Sequence, residues 1–112
     1  MENTNTPPAK IKWYHYVAAF FAGFFLTNAI PHFVKGVCGD GFPSPFADPP
    51  GKGLSSPIIN VLWGAFNILV GYLLFRAGKI NSKNKVALII FFVAIVFAGI
   101  MLANTFVNKA VS

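Results

Sequence analysis

Charged residues are scarce in this sequence of 112 residues: 11% are Asp, Glu, Lys or Arg, whereas 55% are hydrophobic. Soluble domains carry about 25% charged residues, which cover the surface that they expose to water. The deficit therefore excludes an ordinary soluble fold. Because the apolar residues also occur in long blocks, the composition predicts a protein embedded in the lipid bilayer.

Acidic residues are scarcest, with Glu2, Asp40 and Asp48 against nine Lys or Arg, and the net charge is +6. The basic residues flank the apolar blocks and form no stripe with interleaved aromatic residues, so we expect no nucleic-acid partner. Attraction to anionic lipid headgroups accounts for their placement. The apolar blocks themselves contain no charged residue, which disfavours an ion-coupled carrier.

Cysteine is also nearly absent, and with Cys38 alone a disulfide within the chain is excluded. The spacing of His32, Cys38, Asp40 and Asp48 matches no closed zinc pattern. His15 and His32 would lie about 25 Å apart along one helix, too far for one haem to bridge them. We therefore expect no metal, no cofactor and no catalytic residues, and an enzyme is not favoured.

Three apolar blocks are long enough to cross a bilayer, which takes about 20 helical residues each. The sequence thus predicts an all-α membrane protein in a single domain. Its transmembrane helices are predicted at about 13–34, 58–76 and 86–107. Pro31 is expected to kink or end the first helix near Ile30.

The loop between the first two helices, residues 35–57, has a different composition. It holds five of the ten glycines and five of the eight prolines, which excludes a long helix. It also retains Phe42 and Phe46, unlike a disordered linker. We expect an ordered loop on the membrane surface, with both phenylalanines in the interface. Pro57 suits the first turn of the next helix, with one of the two preceding serines as its N-cap.

Basic residues are distributed unevenly between the two sides of the membrane. One side has six, in the N-terminal tail and the basic loop 76–85: Lys10, Lys12, Arg76, Lys79, Lys83 and Lys85. The other side has three: Lys35, Lys52 and Lys109. Since the side richer in Lys and Arg is cytoplasmic, we expect a cytoplasmic N-terminus and a C-terminus outside, in a multi-pass protein of the plasma membrane. Loop 35–57 then faces outward.

Small residues spaced three or four apart predict where the helices pack, since close approach replaces the hydrophobic effect inside lipid. On the second helix, one face carries Asn60, Gly64, Asn67, Gly71 and Gly78. The first helix offers the row Ala19, Gly23 and Thr27, and the third helix offers the pairs Ala94/Ala98 and Gly99/Ala103.

Polar residues collect near the outward ends of the helices. The candidate pocket residues are Asn28, His32, Asn60, Trp63, Asn67 and Asn104. Two interpretations remain open. The amides could hold the loop by bonding its backbone carbonyls, because buried irregular backbone must be satisfied in a membrane. Alternatively, the polar groups could line an outward-facing pocket with His32 as its titratable group.

Three motifs carry a resemblance to a known group of proteins: Asn-Ala-Ile-Pro-His-Phe at 28–33, Gly-Phe-Pro-Ser-Pro-Phe-Ala at 41–47, and Asn-Val-Leu-Trp-Gly-Ala-Phe-Asn at 60–67. Over roughly residues 13–76 the chain resembles small bacterial inner-membrane proteins that share an Asn-x-x-Pro-His-Phe segment and a Pro/Gly-rich outer loop. The resemblance implies a bacterial inner membrane and a single unit formed by loop and amides. It implies no activity.

The leading functional hypothesis is a small non-enzymatic membrane protein that serves as an accessory subunit of a membrane complex or forms a homo-oligomer. Three helices bury few of their faces among themselves, so faces remain for other membrane subunits or a second copy. One alternative is an outward-facing pocket that binds or modifies a small lipophilic molecule such as a quinone or a lipid. The other is an oligomeric pore lined by Asn60 and Asn67.

Overall fold

Three helices, in the order of the apolar blocks, form the computed structural model, which describes residues 10–108. They are α1 (Trp13–Val37), α2 (Pro57–Ala77) and α3 (Lys85–Phe106). Each is long and apolar enough to cross a membrane. The predicted all-α fold with three transmembrane helices is thereby confirmed, and the chain is a multi-pass membrane protein.

The ends of α2 and α3 lie within one residue of their predicted positions because local caps define them. Ser56 is the N-cap of α2 and accepts a hydrogen bond from the Ile59 N–H at 3.2 Å, and Pro57 occupies the first turn. Asn84 caps α3 in the same way and accepts from the Ala87 N–H at 3.3 Å. These side chains satisfy N–H groups that the helices themselves cannot bond.

Helix α1 continues through Pro31 to Val37, three residues beyond the predicted bound at 34, so Pro31 does not end the helix near Ile30. Proline lacks an N–H, so the carbonyl of Thr27, four residues earlier, has no donor from within the helix. Close packing against α2 stabilises the part of α1 that follows Pro31. A Cβ added to Gly36 would lie 2.7 Å from the Pro57 carbonyl oxygen.

Helix α1 is central, since its backbone packs closely against both α2 and α3. Helices α2 and α3 meet through side chains, as in the edge-on contact of Phe75 with Phe91, whose ring centroids lie 5.3 Å apart. The α1–α2 interface uses the predicted face of α2. A Cβ on Gly64 would lie 2.8 Å from the Phe33 nitrogen, and a Cβ on Gly78 would lie 2.8 Å from the Ala19 nitrogen. These glycines allow the two backbones to approach closely, as the small-residue spacing predicts.

The α1–α3 interface uses only half of the small residues predicted for it. Ala94 and Ala98 are buried, and a Cβ on Gly23 would lie 2.9 Å from Ala94 Cβ. By contrast, Gly99 faces open space, since a Cβ added there would have no atom within 4 Å, and Ala103 is exposed. An open, mainly apolar groove of about 480 Å³ separates the helices there. The predicted packing role of Gly99/Ala103 is thus wrong within a single chain.

The cap, residues 38–56, is ordered and folds back over the ends of α1 and α2. Phe42 and Ser55 form an antiparallel bridge, with N–H···O distances of 3.3 and 3.0 Å. The Gly51 N–H donates to the Ser44 carbonyl at 2.8 Å, and Gly51 has a φ of 75°, a conformation that favours glycine. Of the two phenylalanines expected in the interface, Phe46 is exposed but Phe42 is buried beneath the cap, because its bridge to Ser55 turns it inward.

Candidate functional site

Two polar contacts join α1 to α2 beneath the cap. His32 Nδ1 lies 2.9 Å from Asn60 Oδ1. Nearer the middle of the membrane span, Asn28 Nδ2 donates to Asn67 Oδ1 at 3.0 Å. Asn28 and His32 stand four residues apart on one face of α1, which is possible because the helix continues past Pro31. The pairing brings together four of the six candidate residues.

Asn60 is the anchor of the cap. Its side chain is fully buried, and Nδ2 lies 2.9 Å from the carbonyl oxygen of Phe42, 3.2 Å from that of Ser55 and 3.1 Å from that of Ser56. Irregular backbone buried in a membrane protein needs such donors. These contacts are the ones expected if an amide holds the loop in place.

Asn67 is also fully buried and supports Asn28. Its Nδ2 donates to the Trp63 carbonyl one turn earlier in α2 at 2.8 Å, while its Oδ1 accepts from Asn28. The amide is therefore bonded on both sides, which fixes the rotamer of Asn28.

Aromatic rings surround His32 on three sides. Its ring centroid lies 5.4 Å from that of Phe42, 6.4 Å from that of Trp63 and 6.3 Å from that of Phe106, each in an edge-on arrangement. Phe106 is the last residue of α3, so these contacts bring the third helix to the site. Edge-on contacts between aromatic rings are favourable, so these three rings favour one orientation of the His32 ring.

A cavity of about 360 Å³ opens between the cap and the three helices. Its lining combines apolar rings with a few polar side chains: Asn28, His32, Pro43, Ser44, Pro45, Pro50, Gly51, Trp63, Thr105 and Phe106. Of the candidate residues, Asn28, His32 and Trp63 line it, whereas Asn60 and Asn67 lie behind and support them. Among residues 10–108, no charged side chain belongs to this lining.

Asn104 is not brought to the cavity, although the sequence placed it in the pocket. It is exposed on α3, and the next residue, Thr105, lines the wall instead. Successive helical residues point about 100° apart, and the packing of Ala94 and Ala98 on α1 sets which of them faces inward. Sequence reasoning also missed Ser44, whose only signal was its position inside the Pro/Gly-rich loop.

The hydroxyl and imidazole groups of the cavity wall are not arranged as a nucleophile and its base. The Ser44 hydroxyl lies 2.5 Å from the Ser55 hydroxyl and is not bonded to His32, so the wall holds no nucleophile–base pair. Among residues 10–108, no three His, Cys, Asp or Glu side chains lie close enough to hold a metal ion. An apolar enclosure with a few oriented polar atoms is typical of sites for small uncharged ligands.

Two buried polar side-chain atoms in the described part of the chain have no hydrogen-bond partner. They are Oγ1 of Thr27, a residue that lines the α1–α3 groove, and the buried Nε1 of Trp63, a residue whose side chain lines the cavity. Such unpaired groups are rare in folded proteins and reduce stability. Both lie on the cap-side half of the molecule.

Comparison with known proteins assigns this chain to no family. No family model matches it, no curated protein matches its sequence, and no solved structure matches its fold. Its function is therefore argued from the cavity and its surroundings.

Proposed function

We propose that this protein is a non-enzymatic membrane protein that binds a small lipophilic molecule, such as a quinone-type compound or a lipid, in the cavity beneath the cap. The observation that carries the proposal is the wall itself. His32 and Asn28 present polar atoms to a space of about 360 Å³ whose other walls are prolines and aromatic rings. Ligand pockets of about 300–1,000 Å³ commonly have this composition.

The surrounding network supports binding because it holds the polar atoms in place before a ligand arrives. Asn60 fixes His32, and Asn67 fixes Asn28, each through a buried hydrogen bond. Preorganised groups lose little conformational entropy when a ligand binds. A purely structural network would not need an open cavity beside it.

The charge distribution supports a cap that faces outward. Six basic residues flank the ends of the helices opposite the cap or precede them in the N-terminal tail, against Lys35 and Lys52 on the cap side among the described residues. The positive-inside rule then gives a cytoplasmic N-terminus and an outward C-terminus. The resemblance in sequence points to a bacterial inner membrane. The cavity would accordingly take its ligand from the outer leaflet or the outer surface.

A matched pair of substitutions on α3 tests the proposal. Thr105→Phe places a ring in the cavity, whereas Asn104→Phe adds the same ring at the neighbouring exposed position. Each protein is extracted in a lipid-preserving polymer, and co-purifying small molecules are identified by mass spectrometry. We expect one reproducible lipophilic molecule with the wild type and Asn104→Phe, and at least tenfold less with Thr105→Phe. Equal retention by both variants, or no reproducible molecule, contradicts the proposal.

A second candidate function is that of an accessory subunit or a homo-oligomer. The observation that favours it is the open helix arrangement: the backbones of α2 and α3 do not approach each other closely, and α3 exposes Ile89, Val93 and Ile100. Native mass spectrometry of the polymer-extracted protein tests this. A complex containing a second copy or a different membrane subunit in fixed ratio supports it, and a monomer contradicts it.

A pore lined by Asn60 and Asn67 does not fit the structure. Both side chains are fully buried between α1 and α2 and bond within the chain. Neither amide is left on an outer face where several copies could place it around a channel, so no pore is proposed.

A further inference from the structure

The orientation of the Asn60 amide follows from its neighbours. One end of the amide lies within 3.2 Å of three carbonyl oxygens, those of Phe42, Ser55 and Ser56. Carbonyl oxygens only accept hydrogen bonds, so that end must be the NH₂ group. The amide oxygen then faces His32, and because this oxygen only accepts, Nδ1 of His32 must carry the proton of their hydrogen bond.

The other nitrogen of His32 is consequently a hydrogen-bond acceptor. The side chain is 2% exposed, and no charged side chain of the described residues 10–108 lines the cavity. Burying an unpaired charge is costly, so the neutral ring is favoured. In a neutral imidazole with the proton on Nδ1, Nε2 keeps its lone pair. Nε2 bonds to no residue in the range 10–108 and is not among the buried unpaired atoms, so it is open to the cavity.

The same reasoning applies to Asn28. Asn67 directs its NH₂ group to the Trp63 carbonyl, so its oxygen faces Asn28 and accepts from the Asn28 NH₂ group. One N–H of the Asn28 NH₂ group is thus engaged by Asn67. Its second N–H and its oxygen bond to no described residue, so Asn28 offers the cavity wall both an acceptor and a donor.

The other polar side chains of the described wall are hydrogen-bonded within the chain or buried. The Thr105 hydroxyl donates to the Met101 carbonyl at 2.8 Å and keeps only lone pairs. The Ser44 hydroxyl is bonded to the Ser55 hydroxyl and accepts from the Phe46 N–H. The Trp63 N–H is unpaired, but it is buried and does not reach the surface of the cavity.

We infer that the cavity selects its ligand by a hydrogen-bond donor: it takes a lipophilic alcohol, phenol or quinol in preference to an ether, ester or quinone. This inference rests on the proposed binding function and names its ligand class. The acceptors are His32 Nε2 and Asn28 Oδ1, one helical turn apart on α1, and the apolar part of the ligand contacts the prolines and aromatic rings. A ligand that offers only acceptors would leave these atoms unpaired, which costs affinity.

Nitrogen NMR of the protein labelled with ¹⁵N-histidine tests the tautomer without any ligand. His15 serves as an internal reference because its Nδ1 accepts from the Lys12 N–H at 2.8 Å, which requires the opposite tautomer. The expected spectrum shows a protonated Nδ1 for His32 and a protonated Nε2 for His15, assigned with the His15→Gln variant. A protonated Nε2 in His32 overturns the inference.

Binding of two isomers tests selectivity. Octan-1-ol and heptyl methyl ether have the same atoms, but only the alcohol donates a hydrogen bond. In a Trp13→Phe background, Trp63 is the sole tryptophan and reports on the cavity by its fluorescence. After correction for partitioning into the membrane, the alcohol should bind at least tenfold tighter, which corresponds to about 1.4 kcal/mol. Thr105→Phe should abolish the saturable response, and Asn104→Phe should not.

The outcomes separate the two proposals. If both isomers bind saturably with equal affinity, the cavity is a binding site and the donor selectivity is overturned. If the ether binds more tightly, selectivity is overturned as well. If neither isomer gives a saturable response and no small molecule co-purifies, the proposed function is contradicted, and the inference that rests on it is overturned too.

Discussion

Nδ1 of His32 lies 2.9 Å from Oδ1 of Asn60, and this contact connects the cap-side end of α1 with the first turn of α2. Because the same amide also bonds the carbonyl of Phe42, one side chain couples the cap, the second helix and the wall of the cavity. The stability of the cap and the orientation of His32 therefore depend on a single residue. Single substitutions can distinguish the effects of Asn60 on the cap and on His32 from the effects of helix packing in general.

Asn60→Ala should release the cap. The substitution removes the donor to three carbonyls and the acceptor for His32, and interhelical polar contacts in membranes contribute about 0.6 kcal/mol each, with about 1.7 at most. We expect a loss of about 2 kcal/mol in unfolding free energy and faster hydrogen exchange at the Ser55 amide, which bonds Phe42. Hydrogen-exchange mass spectrometry measures the second effect directly.

Asn67→Ala is the control for that experiment, because Asn67 bonds Asn28 and the Trp63 carbonyl but touches no cap carbonyl. It should lower stability without changing exchange in the cap. Equal acceleration of cap exchange in both variants would show that the cap responds to helix packing in general and not to Asn60.

Gly64→Ala should lower the free energy of unfolding, whereas Gly99→Ala should raise it. A Cβ at position 64 would lie 2.8 Å from the Phe33 nitrogen, so α1 and α2 must separate, at a cost of about 1–3 kcal/mol. At position 99 a Cβ meets nothing within 4 Å, and alanine favours the helix by about 1 kcal/mol over glycine. Thermal unfolding in mild detergent measures both. A destabilising Gly99→Ala would mean that α3 packs there against something, such as a second copy.

Thr27→Val should stabilise the protein. The Thr27 hydroxyl is buried without a partner, and valine has nearly the same shape without a polar group to bury. Removing an unsatisfied buried group of this kind is expected to gain about 1 kcal/mol. Thr27→Ser, which keeps the hydroxyl and loses a methyl group, should not show the gain. A rise in melting temperature for serine alone would contradict this explanation.

Labelling of Cys38 tests the orientation. Cys38 is exposed at the end of α1, next to the cap, and is the single cysteine of the chain. In cells made permeable only at the outer envelope, a membrane-impermeant maleimide should label it. In a Cys38→Ser background, Ser82→Cys in the loop between α2 and α3 should react only after the inner membrane is opened. The reverse pattern would place the N-terminus outside.

The sequence was sufficient for the helices and for one of the two interfaces. Apolar length determines a membrane span, and the spacing of Gly64 and Gly71 identified the face of α2 that packs on α1. The last residues of α1, from 35 to 37, were not predicted, because they pack through the contact between Gly36 and Pro57, which are distant in sequence.

Most residues of the site could be predicted from the sequence, but their hydrogen-bond partners could not. The polar residues near the cap were identified, yet their partners depend on how the helices are rotated about their axes. That rotation is set by packing, and it brings Thr105 but not Asn104 to the lining of the cavity, although both residues are exposed. The same applies to Phe42, whose burial follows from a bridge with Ser55 that no local pattern indicates.

Photolabelling tests most directly whether the cavity beneath the cap binds a small lipophilic molecule. A long-chain alcohol bearing a diazirine is irradiated with the protein in native membranes, and the labelled residues are mapped by mass spectrometry. We expect saturable labelling in residues 28–32 and 43–51 that is lost in Thr105→Phe and kept in Asn104→Phe. Labelling spread over the lipid-exposed faces of α2 and α3, and equal in both variants, would contradict binding in the cavity.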